Sequence, residues 1–276
     1  KAGQTFLFKQ DADQPSHIHW QSFDHLGQRW FEAIFALNGE CLETSDTAIA
    51  ARLTQIFQAI HQLAGTPGSA PVHIEARLDF PRHWGLGSSS TLIAALAQWA
   101  GVDAFRLLDL TFGGSGYDIA CAFAESPILY QRREHQGHWV NFPFNPPFQE
   151  QLYFVGLGAK QDSREGIARY RARKPAADPG MLDAISQLTA AFLRAATLEE
   201  FEHCIRKHED LVSKALEIDS VATTLFPDYW GAVKSLGAWG GDFVLATSAA
   251  GHDETVRYFA QRGFSEVFRY DETGLK

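Results

Sequence analysis

Short runs of apolar residues near the start of the chain, at 3–8 and 18–20, read as strands, and apolar and polar positions alternate at 29–35 as a strand should. The period then lengthens. Ile49, Leu53, Ile56, Phe57 and Ile60 recur at helical spacing, Thr44, Ser45 or Asp46 can cap that helix, and Gly65 ends it beyond Leu63. Alternation returns from Val72 to Phe80, a strand that runs into Gly85-Leu86-Gly87-Ser88-Ser89-Ser90. Leu92, Ile93, Leu96, Ala97 and Trp99 then form the packing face of a second helix, which Gly101 stops.

Three prolines between Asn141 and Gln149 block both helix and central strand and mark a domain boundary, giving expected domains 1–147 and 148–276. Beyond it the pattern predicts a strand at 152–157 and helices at 163–173, 181–195 and 198–216, the last opened by a capping box of Thr197 and Glu200. Val233 leads to Gly237-Ala238-Trp239-Gly240-Gly241-Asp242, followed by a strand at 243–246, a helix at 254–262 and a strand at 267–269. The order of elements is α+β.

Composition narrows the function classes. Hydrophobic residues at 45% with 21% charged fit a globular chain, and a net charge of −9 argues against a general nucleic-acid binder. Anionic ligands must therefore be held locally. Cys41, Cys121 and Cys204 stand far apart without CxxC spacing, which suits reduced thiols and a cytoplasmic setting. No apolar run reaches the ~18 residues of a membrane span, and residues 1–10 lack the succession of a signal peptide.

The candidate chemistry begins at the turn 85–90. Glycines let backbone approach an anion, three hydroxyls can donate, and the following helix offers free N–H groups and its positive dipole end. Taken alone, such a turn serves a cap as well as a phosphate. A carboxylate at Asp118, delivered on a tight turn after Gly113-Gly114-Ser115-Gly116-Tyr117, can accept a proton from an attacking hydroxyl, although an Asx-turn needs the same residues. Lys160, Arg164, Arg169, Arg171, Arg173 and Lys174 form a positive island with only Asp162 and Glu165 against it, and Ser163 can cap a helix there. A solvated helix face would look the same.

Pro81 with Gly85 to Ser90 resembles the P-x-x-x-G-L-G-S-S-A signature of the GHMP superfamily (galactokinase, homoserine kinase, mevalonate kinase, phosphomevalonate kinase), with Ser90 in the alanine place. Ser115-Gly116-Tyr117-Asp118 resembles the S-G-x-D stretch of mevalonate and phosphomevalonate kinases. The resemblance implies a ribosomal-protein-S5-like N-terminal domain, a ferredoxin-like C-terminal domain, and phosphoryl transfer from ATP with Mg²⁺ to a small molecule, mevalonate or a close relative. A phosphate acceptor, as in phosphomevalonate kinase, and a non-catalytic ligand-binding protein on the same scaffold are the other expectations. In the roles it implies, Asp118 is the catalytic base, and Gly85, Leu86, Gly87, Ser88, Ser89 and Ser90 bind nucleotide, with Ser89 also on Mg²⁺. Lys160, Ser163, Arg164, Gly116 and Tyr117 meet the acceptor, and Gly237, Gly240 and Gly241 lie near the phosphates. A homodimer is compatible with it, and neither nucleic acid nor membrane is expected as a partner.

The chain departs from the family at three points. Trp239 and Asp242 replace glycines of the third motif, G-A-G-G-G-G. The lysine-bearing first motif, G-K-x-x-x-x-G-E/D, does not occur in these 276 residues, as though the sequence began just after it, so no lysine is carried over. Asp109 stands closer to Asp118 than the magnesium-ligating glutamate of mevalonate kinases would, which favours a surface helix residue. His203 and His208, five apart, are read as structural.

Overall fold

The computed structural model describes residues 3–10, 17–64, 72–158, 179–237 and 242–272. The chain divides into two compact units, residues 1–82 with 87–142, and residues 83–86 with 143–276.

In the first unit, β1 (Gln4–Gln10), β2 (His17–Phe23), β3 (Arg29–Ala36), β4 (Cys41–Thr44) and β5 (Val72–Leu78) form one sheet in the order β1-β5-β2-β3-β4. β2 and β5 run parallel, and the other neighbours are antiparallel. The period of two puts Ile18 and Trp20, Phe31, Ala33 and Phe35, and Val72, Ile74 and Ala76 on one buried face. Against it lies α1 (Thr47–Ala64), whose stripe Leu53, Ile56, Phe57 and Ile60 is buried in the same core. Of the three possible caps, Asp46 acts: its carboxylate accepts the N–H groups of Ala48 (2.9 Å) and Ile49 (3.1 Å).

α2 (Ser88–Ala100), α3 (Ala104–Leu110) and α4 (Tyr117–Phe123) complete this core through Ile93, Leu96, Leu107, Ile119 and Ala120. Gly101 ends α2 in the left-handed conformation, φ 67°. A hairpin of β6 (Ile128–Arg133) and β7 (Gln136–Asn141) follows. Its turn places Glu134 at φ 51°, so it lacks the Gly or Asn that marks such turns in a sequence.

The second unit holds an antiparallel sheet in the order β11-β8-β10-β9, made of β8 (Leu152–Gly156), β9 (Val233–Ser235), β10 (Phe243–Thr247) and β11 (Val267–Arg269). Among the described residues its helices are α5 (Pro179–Arg194), α6 (Leu198–Leu216), α7 (Val221–Leu225) and α8 (His252–Ala260). α8 starts two residues earlier than its apolar pattern predicts, directly after Gly251 at φ 88°. α6 opens with the expected capping box, Thr197 Oγ1 accepting the Glu200 N–H at 3.2 Å while the Glu200 carboxylate accepts the Thr197 N–H at 3.4 Å. The helix expected at 163–173 lies outside the described residues.

All three cysteines are free. Among the described residues, no helix is long and apolar enough to cross a membrane, and no group of three His, Cys, Asp or Glu could hold a metal ion.

Candidate active site

β5 leads through a 3₁₀ turn at Arg82–Trp84 into the Gly/Ser segment. Gly85 and Gly87 both take left-handed backbone, φ 65° and 72°, but for different reasons. A Cβ on Gly85 would fall 1.6 Å from Oδ2 of Asp242, so that glycine lets the Asp242 carboxylate approach within the second unit, where any other residue would displace it. A Cβ on Gly87 would meet nothing within 4 Å, so that glycine faces open space.

α2 starts at Ser88 with no side chain capping it. The Gly87 carbonyl accepts the N–H groups of Ser90 (2.9 Å) and Thr91 (3.0 Å). The N–H groups of Ser88 and Ser89 make no hydrogen bond among the described residues, as the geometry of a helix start requires. Ser89 and Leu86 are exposed, Ser88 and Ser90 half-buried. The Thr91 hydroxyl bonds to the Gln4 side chain on β1, which ties the first turn of α2 to the sheet.

Asp118 does not sit on a tight turn, as its sequence context predicts, but in the first turn of α4. The reason is apolar burial: Ile119 and Ala120, the next two residues, are fully buried in the core and hold that segment helical. The glycines remain upstream, with Gly113, Gly114 and Gly116 at φ 65°, 109° and 77°. Asp118 is exposed, and protein nonetheless crowds it. Desolvation raises its pKa above the ordinary carboxylate value, offset in part by a hydrogen bond from the Tyr117 hydroxyl. Burial and the Asp118 charge push Tyr117 upward in turn, so its hydroxyl stays protonated.

Asp109, on α3, accepts hydrogen bonds from Arg132 and from His135 Nδ1, the latter at 2.8 Å. Desolvation works to raise its pKa, but the hydrogen bonds from His135 and Arg132 outweigh it and the pKa is lowered. Its carboxylate is therefore engaged in a clasp within the first unit. His208 is likewise structural, its Nδ1 3.4 Å from the Glu209 carboxylate.

In the second unit, Gly237 is exposed at φ 65°, and Asp242 is half-buried against Gly85. Gly240, Gly241 and Trp239 lie outside the described residues, as do Lys160, Ser163, Arg164 and the rest of the basic island. Trp84 was not singled out by sequence. Its indole N–H donates to Glu266 at 2.6 Å, and its ring meets Phe243 and Phe268 edge-on at 5.9 and 5.2 Å. A tryptophan directly before a glycine turn was the available signal. The hairpin residues Tyr130 and Arg132 were missed as well: they donate to the carbonyls of Ser115 (2.7 Å) and Gly114 (2.8 Å), and nothing in their local pattern announces it.

No protein-family model and no curated protein sequence matches the chain. Solved structures do match it in three dimensions. Mevalonate kinase from Methanococcus jannaschii superposes with a TM-score of 0.61 at 12% identity, covering 97% of this chain and 88% of that one. Streptococcus pneumoniae phosphomevalonate kinase, in complex with phosphomevalonate and AMPPNP, gives 0.63 at 16% identity, covering 96% and 90%. Lactococcus lactis galactokinase complexed with galactose gives 0.60 at 13%, covering 95% and 81%. Matched along nearly its whole length to three kinases of different substrates, the chain has the α+β fold of the GHMP kinases.

Proposed function

We propose that the protein is an ATP-dependent small-molecule kinase that phosphorylates the hydroxyl of mevalonate or a closely related compound. The observation that carries this reading is the pairing of two features in one compact unit. α4, with an exposed carboxylate of raised pKa in its first turn, packs on α2, whose first N–H groups have no partner among the described residues and lie beside the open space at Gly87.

The residues suit the groups such a reaction needs. The Ser88 and Ser89 N–H groups and the positive end of α2 fit phosphate oxygens, and an exposed Ser89 hydroxyl is the kind of oxygen ligand Mg²⁺ accepts. MgATP supplies the transferred phosphoryl group. Asp118 takes the proton from the acceptor hydroxyl as the oxygen–phosphorus bond forms and the bond to ADP breaks. A carboxylate with a raised pKa is a stronger base than an ordinary one.

A phosphate acceptor is the second reading, favoured by the basic stretch from Lys160 to Lys174 in a chain of net charge −9. The two differ in what Asp118 must do, since an acceptor phosphate is already anionic and needs no base. The test is ADP release by the full chain with MgATP and, separately, mevalonate, phosphomevalonate, homoserine and galactose. Turnover of mevalonate, with kcat lowered roughly 10²- to 10⁴-fold in Asp118→Asn, is the expected result. Turnover of phosphomevalonate alone, indifferent to Asp118→Asn, selects the second reading. No turnover of any acceptor overturns the kinase assignment in favour of a binding protein on this fold.

A further inference from the structure

The β6–β7 hairpin makes contacts that neither the fold nor the proposed chemistry requires of it, and they converge on the segment before Asp118. The Tyr130 hydroxyl donates to the Ser115 carbonyl at 2.7 Å, and Arg132 Nη1 donates to the Gly114 carbonyl at 2.8 Å. The same guanidinium reaches Asp109 through Nη2 and the Glu134 carbonyl through Nε at 3.1 Å. One side chain thus joins the hairpin turn, α3 and the glycine segment. His135 closes the clasp on the other oxygen of Asp109.

The packing beneath these bonds is equally close. A Cβ on Gly116 would fall 2.9 Å from Phe105 Cδ1 and 3.2 Å from the Tyr130 hydroxyl, and one on Gly137 would fall 2.2 Å from Phe105 Cζ. Phe105, stacked on Tyr130 at 6.5 Å, therefore fills the space that glycines on both sides leave. A segment with three glycines in left-handed backbone pays a large conformational entropy on ordering, so its geometry must be imposed from outside. The carbonyls of Gly114 and Ser115 are where this is done, two and one residues before Gly116, the N-cap of α4.

We infer that Arg132 and Tyr130 are positioning residues, which hold the glycine segment so that α4 presents Asp118 to the acceptor hydroxyl. This rests on the proposed role of Asp118. Misplacing a base by about an ångström costs on the order of 10²-fold in rate without weakening ground-state binding. In the full chain with MgATP and mevalonate, Arg132→Ala should lower kcat by about that factor and leave both KM values nearly unchanged. Tyr130→Phe, which removes one hydroxyl and keeps the ring, should lower kcat by less and fold like wild type.

In an Asp118→Asn background neither substitution should lower kcat further, because the group they position is gone. Hydrogen exchange provides a readout that does not depend on turnover. Amides 114–118 should exchange faster in both variants, with α2 unaffected. Equal losses of kcat with and without Asp118, or unchanged kcat and exchange in both variants while Asp118→Asn is crippled, would overturn the positioning role and leave the kinase reading intact. If Asp118→Asn itself matches wild type, or mevalonate is not turned over, the proposed function falls and this assignment with it.

Discussion

At the scale of single residues, Gly85 and Gly87 are written alike in the sequence and separate in the structure. Gly87→Ala places a methyl group in open space, so its cost to stability is that of left-handed backbone alone, about 1 kcal/mol. The same methyl intrudes where a phosphate is proposed to sit, so the variant should lose most of the thermal shift that MgATP gives the wild type. Gly85→Ala meets the same backbone cost and in addition a carboxylate at 1.6 Å. It should have the lower melting temperature of the two, and equal melting temperatures would contradict the close packing of Asp242. Asp118 supplies a pH dependence of activity. Its pKa is raised by desolvation, so the basic form is lost, as pH falls, at a higher pH than an ordinary aspartate would allow. The acid limb of kcat against pH should accordingly lie above the usual carboxylate range of about 4, and Asp118→Asn should abolish that limb.

At the scale of elements, α6 illustrates how a helix start and a helix middle are determined differently. Thr197 and Glu200 cap it through neighbours three residues apart, whereas Glu209 is buried on its inner side and accepts the N–H (3.1 Å) and hydroxyl (2.7 Å) of Ser235 on β9. Desolvation opposes the charge on Glu209, but hydrogen bonds from His208 and Ser235 and the charge of Lys234 prevail, and its pKa is lowered. A carboxyl with a lowered folded-state pKa contributes stability above its unfolded value of 4.5, and that contribution is lost as pH falls through the folded value. Glu209→Gln should therefore be less stable than wild type to urea at neutral pH, with the difference closing in the acid range. A gap that stays constant with pH would show that Glu209 acts through packing alone. The β6–β7 hairpin is an element that the sequence concealed, because Glu134 rather than glycine takes the positive φ of its turn.

At the scale of the molecule, each unit has its own core, that of the first built on Ile18, Phe35, Phe57, Ile74 and Leu96, and those of the second on Val155, Val244 and Phe259 and on Leu152, Phe201 and Ile205. A nucleotide that binds only the folded chain stabilises it by mass action, about 2.7 kcal/mol at a hundred times its Kd. The melting temperature should rise by several degrees with millimolar MgATP, and no rise would count against the phosphate role of residues 87–90. The features legible in the sequence are those whose energies are local. The alternation of β2 and β5, the stripe of α1, the Asp46 and Thr197 caps, the Gly101 stop and the Gly/Ser start of α2 each depend on residues within a few positions of one another. Tertiary structure alone decided that Asp118 enters a helix, that Asp242 closes on Gly85 and that Arg132 joins Asp109 to Gly114. Those contacts link residues far apart along the chain, and their strength comes from burial and hydrogen-bond geometry that exist only once the chain has folded.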